Sequence, residues 1–480
     1  MNYGVVVYIL GRILQAEGAF LVFPIIIGII YGENDLWAYV ITMGVCALTG
    51  TLLSLRKPKK GGLFLKEGFF VVGLGWIFMS LFGAIPFVIS GDIPNFIDAV
   101  FETSSGLSTT GASILTDVEA LSRTNLFWRS FTHLLGGMGV FVFLGALLPM
   151  LGGNSMNLMK AESTGPSVDK LVPRLKDTAK ILYAIYLSMG FVEAVTLVIL
   201  GLPVYDSLLL TFGTIGTGGF GVLNTSISSY SPAIQWTITV FMFMSGVNYA
   251  MYFLILRRKF KSAFKLSEIR LYISVYIICV ALICFDLRNY YASFSENIRQ
   301  SAFQVSTLLT STGYMTADFD KWPEFSKSLL IFIMLVGACA GSTGGGIKMS
   351  RVLIICKSIK KQLQMLIHPR AVKKIKVDGV DVDHDVVRAT NAYIAVFCVF
   401  LTASTVLLSI DGYDFTTNFS ATLATLNNMG PGFNLVGPTC NYSFFSPFSK
   451  IVLIIDMLAG RLELFPILLI MTPGSWKRRL

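Results

Sequence analysis

The chain has 480 residues, of which 54% are hydrophobic and only 14% are charged, and its formal net charge is +10. A soluble protein of this length carries about a quarter charged residues, so the composition excludes an ordinary soluble globular protein. A positive net charge is also typical of proteins that bind nucleic acid. However, the basic residues cluster in a few segments between apolar runs, which argues against nucleic acid.

Apolar runs of the length needed to cross a bilayer recur along the whole chain. The sequence predicts ten spans, near residues 6–30, 36–55, 67–90, 127–150, 178–201, 234–256, 268–286, 328–354, 388–410 and 448–472. The N-terminal run is long enough to span and lacks a convincing cleavage site, so we expect it to be retained. The chain is therefore predicted to be a multi-pass integral membrane protein of the all-α class.

Basic residues concentrate in alternate loops, and the intervening loops carry more acidic residues. The basic clusters lie at Arg56–Lys60, Arg257–Lys265 and Lys348–Lys376, and in the tail at Lys477–Arg479. The positive-inside rule then places both termini in the cytoplasm, in agreement with an even number of spans.

Four short stretches rich in glycine, serine, threonine and asparagine end almost alike. They are STTG at Ser108–Gly111, IGTGG at Ile215–Gly219, TSTG at Thr310–Gly313 and NNMG at Asn427–Gly430. Their glycines are about 95 to 120 residues apart, and each turn follows a short amphipathic segment: Asn95–Leu107, Tyr205–Ile215, Ser295–Thr310 and Phe415–Asn427. Segments of this length at a membrane are more often re-entrant than spanning.

The repetition predicts four units of helix, pore loop and helix around one pore, after two extra N-terminal helices. The predicted divisions are residues 1–65 for the N-terminal helix pair, 66–165 for the first pore repeat and 166–262 for the second. The third repeat covers 263–376 and includes a broken helix and a gating loop, and the fourth covers 377–480. Under the predicted orientation, all four turns lie on the outer side.

The second span of the third repeat contains five glycines within Gly337–Gly346. Glycine costs about 1 kcal/mol per position relative to alanine inside a helix, so a continuous helix is not expected. We predict a broken helix whose unwound centre lies below the glycine turns, in the conduction path. The alternative is close helix packing through small residues.

Several motifs together resemble the Trk/Ktr/HKT superfamily of potassium transporters, and within it the Trk-type membrane subunit. The resemblance extends over essentially the whole chain and is carried by TGAS at Thr110–Ser113, HLLGGMGV at His133–Val140, GACAGSTGGGIK at Gly337–Lys348, ATLNNMGPG at Ala424–Gly432 and GRLELF at Gly460–Phe465. The two extra N-terminal spans favour the Trk type over the shorter Ktr type.

The resemblance implies potassium uptake by a homodimer in which each protomer has its own pore. It also implies a cytoplasmic ring of nucleotide-binding, Rossmann-type regulatory subunits of the TrkA kind, besides the surrounding membrane lipid. Family members with serine at the first filter glycine tend to pass sodium, whereas this chain has Gly111 there. The transported ion is therefore expected to be K⁺, with no organic cofactor on this chain.

A ring of backbone carbonyl oxygens can replace the hydration shell of K⁺. The predicted ligands come from three residues of each turn: Thr109, Thr110 and Gly111; Gly216, Thr217 and Gly218; Ser311, Thr312 and Gly313; and Asn428, Met429 and Gly430. Asn428 and Met429 make the ring chemically uneven. The alternative is that these are four ordinary extracellular turns.

Arg461 lies near the centre of the last predicted span, where an arginine is costly and usually faces the protein interior or water. We predict that it faces the pore and contacts the broken segment, and that the two form a gate. The gating residues would be Gly341, Ser342, Thr343, Gly344, Gly345, Gly346, Lys348 and Arg461. The alternative is a structural ion pair with Asp456 or Glu463.

Three alternative functions are compatible with parts of the sequence. A symporter that couples K⁺ to Na⁺ or H⁺ stays open, although the pore segments lack an acidic relay. A membrane enzyme is disfavoured because no catalytic cluster is present and the three histidines are scattered. Nucleotide binding is disfavoured because Gly337–Lys348 lacks the Gly-Lys-Ser/Thr of a Walker loop, and Gly216–Gly221 has no βαβ unit around it.

Overall fold

The computed structural model describes residues 2–56, 65–137, 139, 175–369 and 374–476, and this part of the chain is mostly helical. An N-terminal group contains α1 (Tyr3–Phe20), α2 (Val22–Tyr31) and α3 (Leu36–Ser54). The next group contains α4 (Leu65–Gly83), α5 (Ile85–Ser90), α6 (Phe96–Leu107) and α7 (Arg123–Gly137).

Three further groups follow the same order of long helix, short helix and second helix. One contains α8 (Leu175–Ile199), α9 (Val204–Ile215), α10 (Pro232–Ser245), α11 (Tyr249–Leu256) and α12 (Phe260–Lys265). The next contains α13 (Ser267–Asp286), α14 (Phe294–Leu309), α15 (Glu324–Val336), α16 (Met349–Ile367) and an antiparallel hairpin of β1 (Lys376–Val377) and β2 (Val380–Asp381). The last contains α17 (His384–Leu408), α18 (Phe415–Leu426), α19 (Pro447–Arg461) and α20 (Phe465–Met471).

Six helical stretches in the described residues are long and apolar enough to cross a membrane. They are Tyr3–Tyr31, Leu36–Ser54, Lys66–Ser90, Lys180–Ile199, Ser267–Asn289 and His384–Asp411, and α10 with α11 forms a seventh that is bent by 92°. The other predicted spans fall on α7, on α15 with α16, and on α19 with α20, which are shorter or interrupted helices.

The four short segments form helices, as the sequence predicts, and these are α6, α9, α14 and α18. Side chains cap the first turns of two of them, α6 and α18: Asn95 accepts from the Ile97 amide at 2.9 Å, and Asp414 accepts from the Thr417 amide at 3.0 Å. The Thr417 hydroxyl also holds the pKa of Asp414 below its ordinary value. The last turns of the four helices are buried, so each helix ends inside the protein.

The predicted break in the third repeat is confirmed, because α15 ends at Val336 and α16 begins at Met349. Two further breaks, which the sequence does not predict, lie within the spans predicted near 234–256 and 448–472. The first lies between α10 and α11, where the Gly246 carbonyl accepts from the Cys339 amide at 3.0 Å and the Tyr249 amide donates to the Gly341 carbonyl at 3.1 Å. These bonds satisfy backbone groups that an interrupted helix would otherwise leave unpaired.

The second unexpected break separates α19 from α20. Glu463 and Leu464 have positive φ angles of 58° and 70°, which a helix cannot accommodate. The Glu463 carboxylate forms an ion pair with Arg351 of α16. The break therefore coincides with a contact between α16 and the segment after α19. Hydropathy alone does not predict such a break.

Some sequence predictions concern residues outside the described ranges. They include the division at 165/166, the end of the span predicted for 127–150, Met138 and Val140 of the HLLGGMGV motif, and the basic residues Lys57, Lys59, Lys60, Arg370, Lys373, Lys477, Arg478 and Arg479.

The N-terminal helices α1 and α3 pack through glycines. A Cβ atom at Gly50 would lie 2.7 Å from the Gly11 carbonyl oxygen and 2.8 Å from Cγ of Gln15, and a Cβ at Gly11 would lie 2.6 Å from the Gly50 carbonyl oxygen. The two backbones are thus in direct contact, which is typical of membrane helices joined through small residues.

We expect Gly50→Leu to destabilise the protein by about 1–3 kcal/mol, because the added side chain must push α1 and α3 apart. Thermal unfolding of the purified protein in detergent, followed by tryptophan fluorescence, measures the effect. Gly44→Leu is the matched control, since Gly44 lies on the same helix with no atom within 4 Å of a built Cβ. Equal melting temperatures for the two variants would contradict the close contact.

Candidate functional site

Each short helix ends in the same turn, with one residue in the left-handed region of φ. These residues are Thr109, Thr217, Ser311 and Asn428, with φ between 52° and 57°. In every turn the amide of this residue donates to the carbonyl three residues earlier, and the next amide donates to the carbonyl five residues before it. The four turns are therefore equivalent in backbone conformation, although their sequences differ.

This equivalence corrects the sequence alignment of the second turn by one residue. Thr217, not Gly216, is the counterpart of Ser311, since both residues have positive φ. Consequently Gly218 corresponds to Thr110, and Gly219 corresponds to Gly111 and Gly313. Gly219 has φ of 78°, close to the 79° of Gly111, and it was missing from the predicted set of ligands.

The four turns meet in a closed ring. A Cβ atom at Gly111 would collide with the Gly218 carbonyl oxygen, and one at Gly219 would collide with the Thr312 carbonyl oxygen. A Cβ at Gly313 would lie 3.1 Å from the Gly430 amide nitrogen, and one at Gly430 would lie 2.6 Å from the Gly111 carbonyl oxygen. Each turn thus touches the next in the order first, second, third, fourth and first, and the turns surround one axis.

Glycine is required in this ring for two physical reasons. Gly111, Gly219 and Gly313 have φ between 78° and 88°, a conformation that costs other residues strain. In addition, a side chain at Gly111 or Gly219 would collide with a neighbouring carbonyl, and one at Gly313 would be in tight contact with the Gly430 amide. Gly430 lacks the positive φ and is followed by Pro431, so the fourth turn deviates from the other three.

A buried ion pair supports the ring from behind. Arg129 of α7 donates to Glu102 of α6 at 2.6 Å, and the two side chains are 3% and 0% exposed. The same carboxylate accepts from the Ile114 amide at 3.0 Å, just after the first turn. The guanidinium also donates to the Gly221 carbonyl at 3.1 Å and lies 3.5 Å from the Phe220 ring centre, just after the second turn. The pair therefore joins the first two turns.

His133 makes a second connection between these turns. The Phe220 amide donates to its Nε2 atom at 3.2 Å, so the proton is on Nδ1, which donates to the Gly106 carbonyl at 2.8 Å. The neutral imidazole is fixed in one tautomer between α6 and the second turn. On the other side of the ring, the Tyr442 hydroxyl donates to the Gly430 carbonyl at 2.8 Å.

The broken segment between α15 and α16 lies directly against the third and fourth turns. The Gly345 amide donates to the Ser311 hydroxyl at 2.6 Å, and a Cβ atom at Gly344 would lie 2.7 Å from the Thr310 carbonyl oxygen. The segment is held from its other side as well. The Ala340 amide donates to the Glu268 carboxylate at 2.6 Å, and the buried Lys348 ammonium donates to the Gly344 carbonyl.

Arg461, the last residue of α19, contacts this segment as the sequence predicts. Its guanidinium donates to the Thr343 carbonyl at 2.9 Å and to the Gly136 carbonyl at the end of α7. The two carboxylates considered as alternative partners have contacts of their own, because Asp456 accepts from Ser404 at 2.8 Å and Glu463 pairs with Arg351. One side chain of α19 therefore joins the end of α7 to the broken segment between α15 and α16.

Sequence reasoning missed Gly219, Glu102 and Arg129, and it gave His133 no role. The pairing of Glu102 with Arg129 could have been suspected, because both residues interrupt apolar stretches. Charged residues within a membrane usually have a partner or a function. Of the predicted ligands, Gly216 lies one residue before the left-handed position of its turn. The other predicted ligands lie in the four turns themselves.

The chain matches a known protein family over almost its whole length. The family model described as TrkH, cation transport protein, matches residues 38–287 and 289–477. The chain belongs to the TrkH family. The Trk system potassium uptake protein TrkH of Salmonella typhimurium is 34% identical over 487 residues, with 99% of this chain and 100% of the relative covered. The Trk system potassium uptake protein TrkG of Escherichia coli K12 is 31% identical, covering 95% of this chain and 94% of the relative.

A solved structure agrees with these matches. The crystal structure of the potassium transporter TrkH from Vibrio parahaemolyticus superposes with a TM-score of 0.87 at 32% identity, covering 99% of this chain and 100% of that chain. The chain is therefore a multi-pass, all-α membrane protein of a transport family and not an enzyme. The resemblance drawn from the sequence motifs is confirmed.

The Glu102–Arg129 pair gives a stability prediction. Glu102→Gln should destabilise the protein by about 3–5 kcal/mol, because the variant leaves the Arg129 guanidinium buried without its counter-charge. The variant Arg129→Met should have an effect of similar size. The double variant should lose less than the sum of the two single variants, which thermal unfolding in detergent measures.

The exposed pair Asp385–Arg388 provides the matched control, since its side chains are 76% and 82% exposed. Asp385→Asn should leave the melting temperature unchanged, as is usual for surface pairs. Additive losses in the Glu102/Arg129 double variant would show that the two side chains act independently.

Proposed function

We propose that the protein takes up potassium through a channel-like pore in the bacterial inner membrane, and that the ring of four turns is its selectivity filter. The observation that carries the proposal is the closure of the ring by Gly111, Gly219, Gly313 and Gly430. A ring of this kind presents backbone carbonyls from four sides of one axis. The potassium-uptake activity in the names of the relatives supports the same ion.

The proposed ligands are backbone carbonyls of equivalent residues in each turn: Thr109–Gly111, Thr217–Gly219, Ser311–Gly313 and Asn428–Gly430. K⁺ holds its hydration water weakly, so carbonyl dipoles replace that water at modest cost. Glycines keep the axis free of side chains and allow the carbonyls to turn toward it. The buried contacts of Arg129 and His133 hold the first two turns at fixed positions, so the oxygens cannot collapse onto a smaller ion.

The first functional prediction concerns selectivity. Gly111→Ser, Gly219→Ser and Gly313→Ser should each lower the permeability of K⁺ relative to Na⁺ by about tenfold or more, the factor equal to 1.4 kcal/mol. The physical reason is that the new side chain displaces the backbone of the adjacent turn, a carbonyl at Gly111 and Gly219 and the Gly430 amide at Gly313. Reversal potentials in planar bilayers with K⁺ on one side and Na⁺ on the other measure the ratio.

Gly91→Ser is the matched control for backbone strain, since Gly91 has φ of 88° but no atom within 4 Å of a built Cβ. It should retain the selectivity of the unaltered protein. If all three ring variants also retain it, the turns do not form the filter. An effect at Gly219 as large as at Gly313 would support the corrected alignment.

The gate in this proposal consists of Arg461 and the broken segment beneath the ring. A cation about 5 Å from the guanidinium is repelled by roughly 3 kcal/mol at an effective dielectric constant near 20. The bonds to Thr343 and Gly136 hold the guanidinium beside the segment. Movement of the segment would then change both the width and the charge of the pathway.

The second functional prediction follows from that barrier. Arg461→Ala should raise the basal K⁺ flux into liposomes by up to about a hundredfold, because both the charge and the bonds to the segment are lost. Arg461→Lys retains the charge and should show a smaller rise. Arg388→Ala removes an arginine from an exposed ion pair, so it is the control and should leave the flux unchanged. An Arg461→Ala variant with unaltered basal flux would refute the gate.

The assembly proposed from the resemblance is a homodimer with both termini in the cytoplasm, bound to a TrkA-like ring of nucleotide-binding subunits. The same bilayer measurement distinguishes uptake through a channel from coupled transport. For a channel, the reversal potential follows the K⁺ gradient alone. For a symporter, it shifts when Na⁺ or pH is changed at constant K⁺.

A further inference from the structure

An apolar groove of about 590 Å³ lies on the outside of the helix bundle, away from the ring of turns. Its walls come from the second half of α13, from the turn after it, and from the first turns of α14. The lining is mostly aliphatic and aromatic: Tyr276, Ile277, Val280, Ala281, Phe285 and Phe294. This volume lies within the about 300–1,000 Å³ of small-molecule sites.

The groove has the length of one leaflet. Along α13 and the helical turn that follows it, the groove extends from Tyr276 to Arg288, which corresponds to about 18 Å at 1.5 Å per residue. The hydrocarbon core of a bilayer is about 30 Å thick, so the groove covers roughly half of it. Most of the surface of α13 faces outward, since only 22% of the residues in its most apolar stretch are buried. An acyl chain from the adjacent leaflet therefore has direct access.

The charge in the groove lies at the end where a headgroup would be. Arg288 lines this end, and its guanidinium lies 4.5 Å from the Phe285 ring centre. Within the described residues no carboxylate lies within ion-pair distance of Arg288, and the nearby Asp286 accepts from the Ser326 hydroxyl at 2.6 Å. Tyr290 and Tyr291 follow directly, as is common where a helix leaves the hydrocarbon core.

We propose that this groove binds one anionic phospholipid, with an acyl chain along α13 and α14 and the phosphate facing Arg288. The apolar walls match the chain, and the unneutralised guanidinium matches the phosphate. This site is separate from the pore, so the proposal does not depend on the filter or on the gate.

The test uses the full-length protein in phosphatidylcholine vesicles that contain a small fraction of phosphatidylglycerol with a diazirine on its acyl chain. After irradiation, mass spectrometry should find the label on α13 within 277–285 and on α14 within 294–298. Ala281→Trp should reduce this labelling at least fivefold, because the indole fills the groove. Ala281 is exposed, so the larger side chain does not have to enter the core.

Ile278→Trp is the matched control, since Ile278 is exposed on the same helix but does not line the groove. It should leave the labelling unchanged. Equal labelling of the Ala281→Trp variant and the unaltered protein would overturn the proposal.

A second arm tests the headgroup. Arg288→Gln should reduce the preference for the phosphatidylglycerol probe over a phosphatidylcholine probe about fivefold, the effect of one basic residue near a membrane surface. Arg257→Gln is the control, because Arg257 also stacks on a phenylalanine, Phe253 at 4.8 Å, but does not line the groove. An unchanged preference in Arg288→Gln would contradict a phosphate contact.

The labelling experiment also distinguishes two other occupants of the groove, a free anion and a second copy of the chain. If inorganic phosphate at millimolar concentration abolishes the probe's preference, the site binds a free anion and not a lipid. If Ala281→Cys forms disulfide-linked dimers under mild oxidation while the labelling is absent, a second copy of the chain covers the groove. Either result would overturn the lipid site.

Discussion

The structure depends on the contact of four backbone turns at distances that leave no room for side chains. At Gly111, Gly219 and Gly313 a left-handed φ coincides with a neighbouring carbonyl or amide where a Cβ would be. Other elements of the fold serve this contact. The short helices deliver the turns to the interior, and glycines at the ends of α7 and α19 approach the carbonyls of Leu107 and Leu426 from below.

Polar groups at this depth must be paired within the protein. The Glu102–Arg129 pair, the His133 imidazole and the Tyr442 hydroxyl bind backbone atoms on the outer edge of the ring. The Glu268 carboxylate and the Lys348 ammonium do the same for the broken segment. A buried charge costs several kcal/mol unless it is paired, so each of these contacts offsets a penalty and simultaneously fixes a position.

The sequence alone was sufficient for features that rest on local chemistry. The four turns, their short helices and the interruption at Gly337–Gly346 were predictable because glycine and capping residues act within a few positions. The alignment of the second turn was not, since Gly216, Gly218 and Gly219 allow more than one register. The breaks after α10 and α19 were not predictable either, because the Gly246 bond to Cys339 and the ion pair of Glu463 with Arg351 join distant segments.

The position of Arg461 has a consequence for how the protein can evolve. Its guanidinium belongs to α19 but binds the Gly136 carbonyl at the end of α7 and the Thr343 carbonyl of the broken segment. Elements that do not touch can usually diverge one at a time in evolution. Here a change in α7, in α19 or in the broken segment alters the surroundings of the same side chain, so these three elements are constrained to change together.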